Sequence, residues 1–161
     1  MKKNYKSIIK IIKYLILSLA VFILIATPLF FSFGLVINTT KSMPIGLYKK
    51  VDKPLVKGDL VILKIPTINK YLIKKIAATK GDLIEINSNG VYINNILQAN
   101  TKIFKYDTFN QPLHFNPLKT VLKDNEFIVL GEHIRSYDSR YFGIVKEYEN
   151  NMKKLIKIIS F

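Results

Sequence analysis

Leu72-Ile-Lys-Lys-Ile-Ala-Ala-Thr-Lys-Gly-Asp-Leu-Ile-Glu-Ile-Asn-Ser-Asn-Gly-Val-Tyr-Ile93 holds three apolar runs of strand length separated by turn residues. Short apolar stretches cut by Gly, Asn and Asp read as β-strands. Lys80-Gly81-Asp82 is one turn signal. Asn89-Gly90, between two alternating runs, is the strongest hairpin signal in the chain and predicts a type I′ turn, with positive φ at both central residues. Working outward, the same pattern predicts strands over Gly46–Lys50, Leu60–Ile65, Tyr71–Thr79, Asp82–Asn87, Gly90–Ile93, Phe127–Leu130 and Gly143–Lys146, hence a mainly β fold. Residues 99–125, with Pro112, Pro117 and several Asn, read as a small insertion or cap. The tail Met152–Phe161 fits a final strand or a membrane-contacting stretch equally well.

Upstream, YLILSLAVFILIATPLFFSFGLVI (14–37) carries no charge. A helix of about 20 such residues spans the roughly 30 Å hydrocarbon core of a bilayer. The expected organisation is a basic cytoplasmic segment over 1–13, a transmembrane helix over 14–37 and an extracytoplasmic β domain over 38–161. Lys2, Lys3, Lys6, Lys10 and Lys13, with no acid among them, hold the amino end inside by the positive-inside rule. Lys41, Lys49, Lys50, Lys53 and Lys57 follow at similar density and weaken that signal. A cleavable signal peptide fits less well than a retained anchor. The run exceeds the usual apolar core of about 7–15 residues, and Thr39-Thr40-Lys41 is a poor small-residue cleavage site. Pro28 is tolerable in a membrane helix and would kink it.

The chain has 161 residues, so about 120 remain beyond the apolar run, enough for one compact domain. Cysteine is absent, which excludes disulfides, thiol nucleophiles and thiolate metal sites. His114 and His133 are the only histidines and no acidic cluster stands out, so no metal or cofactor is expected. Net charge is +14, spread over lysines along the whole chain. No basic stripe with interleaved aromatics emerges, so no nucleic-acid partner is expected; a lipid bilayer fits the same charge.

Candidate chemistry gathers in three blocks. Ser42, in Thr40-Lys-Ser-Met-Pro-Ile-Gly46, follows the apolar run closely and would sit near the membrane surface. Pro44 restrains Met43 to extended geometry and Gly46 permits close approach of another backbone, a corner that could aim a hydroxyl. A serine hydroxyl needs a base. Lysine serves if burial lowers its pKa from about 10.4 toward neutrality. Lys74 and Lys75 lie within an apolar strand, Lys74 on a face with Leu72, Ile76 and Ala78, Lys75 with Ile73, Ala77 and Thr79. Spacing barely separates them, and His133 is a further candidate base. In the third block, Arg135-Ser-Tyr-Asp-Ser-Arg-Tyr-Phe-Gly143, Arg135 and Arg140 are the only arginines among 25 basic residues. Their planar, multi-donor heads suit a specific structural need. Asp138 and Arg140, two apart on an extended run, would share a face and could form an ion pair that holds the fold or serves the site.

In this order the blocks resemble the type I signal peptidase superfamily, and within it the TraF-like conjugal transfer peptidases. The serine box is Ser42-Met-Pro-Ile-Gly-Leu-Tyr48, whose Gly-Leu-Tyr ending is characteristic of that branch. The lysine box is Leu72-Ile-Lys-Lys-Ile-Ala-Ala-Thr-Lys-Gly-Asp82, and the last box runs Leu130–Val145. The resemblance implies a single signal-peptidase-like β domain with a reduced cap, behind one N-terminal transmembrane helix. It implies Ser42 as nucleophile, Lys74 as general base, Thr40 as an oxyanion-stabilising hydroxyl and Ser136 as the serine that orients the lysine. Asp138 and Arg140 match the charged pair that supports the site. Gly131-Glu-His133 departs from the Gly-Asp-Asn common in signal peptidases, and the loop to Ser136 is one residue shorter.

The expected activity is that of a serine endopeptidase in the bacterial inner (plasma) membrane, single-pass, with its catalytic domain outside. It would cleave signal or leader segments of exported precursors, a conjugal pilin substrate above all. The acyl-enzyme would pass to water or, as the branch implies, to the substrate's own amino end. A general type I signal peptidase is the near alternative. A non-enzymatic membrane-anchored β scaffold of a secretion apparatus is the alternative of another class.

Overall fold

The computed structural model describes residues 2–161. The chain divides into two units, one up to Val36 and one over Ile37–Phe161. The first is the helix α1 (Lys2–Ser32). It begins inside the basic segment, whose first residue, Met1, lies outside the described residues. Ser7–Phe30 is long and apolar enough to cross a membrane, with a mean hydropathy of 2.5. At 1.5 Å per residue this stretch reaches about 36 Å. Its hydroxyls turn back on the backbone: Ser18 Oγ donates to Leu15 O (2.9 Å), Thr27 Oγ1 to Ile23 O (2.6 Å) and Ser32 Oγ to Leu29 O (2.8 Å). That satisfies the three hydroxyl donors within the helix itself. The helix stops short of Ile37, because Gly34 adopts φ 70°, the left-handed residue that commonly ends a helix.

Eleven strands follow: β1 (Leu35–Asn38), β2 (Gly46–Val51), β3 (Leu60–Ile65), β4 (Lys70–Ala78), β5 (Leu83–Asn87), β6 (Gly90–Ile93), β7 (Ile96–Leu97), β8 (Leu118–Val121), β9 (Glu126–Leu130), β10 (Val145–Lys146) and β11 (Lys153–Ser160). A one-turn helix, α2 (Ser139–Phe142), precedes β10. The strands form a seven-stranded sheet, in the order β1-β2-β11-β3-β4-β9-β10, and a four-stranded sheet, β7-β6-β5-β8. The fold is mainly β, as the alternation predicts. All seven expected strands fall on observed ones, and the tail is a strand, β11, inserted between β2 and β3.

Two cores hold the domain. Val61, Leu63, Ile65, Ile76, Phe127, Val129, Val145 and Met152 form one; Ala78, Ile84, Ile86, Val91, Ile93, Leu122 and Ile128 form the other. β9 serves both, since Ile128 faces away from Phe127 and Val129. β4 also serves both, for a different reason: its pairing with β9 slips between Ile76 and Ala78, opposite Val129 and Ile128. Such a bulge breaks strict alternation. Lys74 therefore shares the first-core face with Leu72 and Ile76, while the expected Ala78 belongs to the other core.

The hairpin expected at Asn89-Gly90 forms, with a different turn. Asn87 pairs with Gly90, so Ser88-Asn89 is the loop and Gly90 is already strand. A β-carbon on Gly90 would lie 2.7 Å from Thr101 Oγ1, so this glycine makes room rather than bending the chain. The two-residue loop with both φ positive is Asn94-Asn95, at 52° and 65°, between β6 and β7.

Candidate active site

Ser42 lies in the loop between β1 and β2, half-buried, with the exposed Thr40 beside it: Thr40 Oγ1 and Ser42 Oγ are 3.2 Å apart. The loop is anchored beneath. Met43 is buried, Tyr48 is fully buried, and the Tyr48 hydroxyl donates to Pro44 O at 2.6 Å. Gly46 packs so closely on the carbonyl of Ile159 in β11 that a β-carbon would overlap it. The close backbone approach that the sequence allows for is thus the pairing of β2 with the tail strand. The Ser42 carbonyl accepts from Glu132 N–H at 2.8 Å, which ties the loop to the last block.

Lys74 is 2% exposed, while Lys75 is exposed. This asymmetry separates two residues that spacing leaves equivalent. Burial lowers the Lys74 pKa from 10.5 to about 8; Asp138 pulls it back up and Arg140 pushes it down. The two charges belong to one ion pair and act in opposite directions, and desolvation is the largest cause. The Lys74 amine makes no hydrogen bond or ion pair among the described residues.

Across from Lys75 stands Leu130, the last residue of β9, and Gly131 follows it. Gly131 is the junction of the site. A β-carbon there would overlap Ser136 Oγ and approach Ser42 O at 3.1 Å. Its N–H donates to Asp138 Oδ2 at 2.9 Å. Ser136 is 3% exposed and its Oγ has no hydrogen-bond partner among the described residues, an arrangement that leaves a buried hydroxyl unsatisfied at a cost of about 1–3 kcal/mol.

Asp138 and Arg140 form a two-point pair, Nε to Oδ1 at 2.8 Å and Nη2 to Oδ2 at 3.0 Å, with both side chains fully buried. The expected pairing occurs, but the expected extended run does not. Asp138 caps α2, accepting from Arg140 N–H, and the chain turns helical over Ser139–Phe142. Arg140 Nη1 reaches back to Ile134 O (2.6 Å) and Lys102 O (3.4 Å). That planar, multi-donor use is what the scarcity of arginine points to. His133 is exposed and its Nδ1 accepts from Arg135 N–H at 3.1 Å; His114 is exposed too.

The structure thus joins Thr40 to Ser42, Asp138 to Arg140, and Ser136 and Ser42 through Gly131. No hydrogen bond links Ser42 or Ser136 to Lys74 among the described residues. A cleft of about 380 Å³ lined by Lys75, Ala77, Leu130, Gly131 and Glu132 adjoins this junction. The larger cavity, about 460 Å³, lies against Arg135 and Tyr137 and touches neither Ser42 nor Lys74. Asn38 is a participant that the sequence reading missed. It hides at the end of the apolar run, yet its buried amide bonds Thr40, Met43 and Pro44.

Residues 8–154 match the family model for signal peptidase, peptidase S26. The chain belongs to this family. Within the signal peptidase family it falls in the TraF-like branch, as the three boxes imply. A plasmid transfer protein TraF of Escherichia coli is 29% identical over 148 residues, covering 78% of this chain and 81% of that one. A second TraF of the same species is 27% identical over 132 residues, 68% of this chain and 74% of its own. Signal peptidase I S of Bacillus subtilis (strain 168) is 34% identical over 92 residues, 52% and 48% of the two chains. A signal peptidase I structure from Enterococcus faecalis aligns with a TM-score of 0.40 at 19% identity, over 68% of this chain and all of the other, a likeness too slight to bear on the fold. The signal peptidase family makes the chain a serine peptidase, and the family together with α1 indicates a membrane-anchored protein.

Proposed function

We propose that this chain is a membrane-anchored endopeptidase that removes the signal or leader segment of an exported precursor, with Ser42 as nucleophile and Lys74 as base. The observation that carries the reading is the buried Lys74, its pKa lowered to about 8 on a face otherwise apolar. A neutral amine there accepts the Ser42 hydroxyl proton as Oγ attacks the scissile carbonyl. The developing oxyanion is met by the Ser42 N–H, which has no hydrogen-bond partner among the described residues, and by the Thr40 hydroxyl once it turns from Asn38 Oδ1. One such donor is worth about 3–4 kcal/mol in the transition state. The Lys74 ammonium then returns the proton to the leaving amine, and the acyl-enzyme passes to water or to an amine. Ser136 is the residue proposed to orient Lys74, its idle buried hydroxyl being available to the amine, and the Asp138–Arg140 pair fixes the loop that carries Ser136.

Two relatives bear the name plasmid transfer protein, which supports a conjugal pilin as the precursor and an outward-facing domain in the inner membrane. The match to signal peptidase I S supports a second reading, a general signal peptidase for many precursors. Ser42→Ala and Lys74→Ala should each reduce precursor processing at least about 10³-fold. Processing that persists in either variant rejects the dyad. Comparing the amino termini of exported proteins with and without the enzyme separates one dedicated substrate from many.

A further inference from the structure

Asn38 ends β1, four residues ahead of Ser42, and is 4% exposed. Its whole amide is engaged within the serine loop. The two hydrogens of Nδ2 are shared among Thr40 O (3.0 Å), Met43 O (2.9 Å) and Pro44 O (3.0 Å). Oδ1 accepts from Thr40 N–H (3.1 Å) and from the Thr40 hydroxyl (2.8 Å). Reversing the amide would set its oxygen against three carbonyls, so the partners decide the orientation. With the Tyr48 hydroxyl on Pro44 O and Glu132 N–H on Ser42 O, the carbonyls of residues 40, 42, 43 and 44 all face protein donors. Among the described residues the Ser42 N–H has no partner.

A second consequence concerns protons. Asn38 Oδ1 can only accept, so the Thr40 hydroxyl is the donor in that bond. Its single hydrogen is then committed, and Ser42 must donate in the 3.2 Å contact with Thr40. Thr40 can reach an oxyanion only by turning its hydroxyl off Asn38.

We propose that Asn38 is a positioning residue for acyl transfer: it draws the loop carbonyls inward to free the Ser42 N–H, and it sets the direction of the Thr40 hydroxyl beside Ser42. The proposal rests on the reading of Ser42 as nucleophile. The Asn38 amide acts through Thr40 and Ser42 and touches no substrate. Asn38→Asp keeps the acceptor and loses all three donor bonds, so it separates the two tasks.

The test uses the full chain in detergent micelles, treated with a serine-directed acylating probe in single turnover, with backbone amide exchange read on the same samples. In the native chain the Ser42 amide should exchange much faster than those of Thr40 and Glu132. Asn38→Asp should slow acylation at saturating probe about 100-fold, with probe affinity within about threefold, and speed exchange at Glu132. Thr40→Val should slow acylation on the native background and have little further effect on Asn38→Ala, because the two act as a unit. Native-rate acylation in a folded Asn38→Asp chain, losses that simply multiply in the double variant, or equal exchange at Ser42 and Thr40 in the native chain would each overturn the proposal. An unlabelled Ser42 in the native chain defeats the nucleophile reading instead, and the exchange pattern still decides whether Asn38 holds the loop.

Discussion

The two sides of the site are built by different physics. The Ser42 loop is half-exposed and shaped by hydrogen bonds from neutral donors: Asn38, Tyr48 and the Glu132 N–H. The block from Gly131 to Arg140 buries Ser136, Asp138, Ser139 and Arg140, and closes them with a fully buried ion pair. A nucleophile has to meet a substrate that arrives from outside, so its loop stays accessible. The proposed lysine base acts in its neutral form, whose share rises as dry surroundings lower its pKa. Of the charges beside it, Asp138 pulls the Lys74 pKa up and Arg140 pushes it down, so the pair opposes burial less than a lone Asp138 would.

The sharpest way to break this contrast is to open the buried pair. Arg140→Leu leaves Asp138 charged and unpaired, which should destabilise the domain by about 3–5 kcal/mol in urea unfolding. It should also raise the Lys74 pKa, because the opposing Asp138 attraction is then unchecked, and so move the activity profile to higher pH. A loss under about 1 kcal/mol would mean the pair is not the closure described.

Lys74→Met tests the dry side from the opposite direction. A lysine held at about 8 instead of 10.5 costs the folded state on the order of 3 kcal/mol. The sign follows from proton binding. Between about pH 8 and 10.5 the unfolded chain keeps the proton that the folded chain has released, so stability rises with pH through that window; below it the full cost applies. The inactive Lys74→Met chain should therefore unfold later than the native one at pH 7, with the advantage fading toward pH 10.5. Equal stability at pH 7 would argue that Lys74 is wet. Lys75→Gln, one residue away on the exposed face, is the small-effect control: stability within about 0.5 kcal/mol and unchanged processing.

Much of this contrast is legible along the chain, and the illegible parts share a cause. The strands around Lys80-Gly81-Asp82 and Asn89-Gly90 announce themselves, because turn residues and alternation are local. The Asp138–Arg140 pairing is legible from residue type and spacing, while the capped turn that carries it is not, since Arg140 takes its other partners from Ile134 and Lys102. The choice of Lys74 over Lys75 depends on what covers β4, and the bulge after Ile76 lies in the pairing with distant β9. β1 and Asn38 are masked by the apolar run that precedes them. The tail could not choose its fate alone, because its partners are β2 and β3, about a hundred residues upstream.

In the proposed reaction the neutral form of the buried Lys74 amine activates Ser42. The pH dependence of single-turnover acylation at Ser42, in the full chain and in Lys74→Ala, tests it most directly. The rate should rise to a plateau with its midpoint near pH 8, and the variant should lose that reaction. A rate still climbing through pH 10, or a Lys74→Ala chain acylated at the native rate, would contradict it.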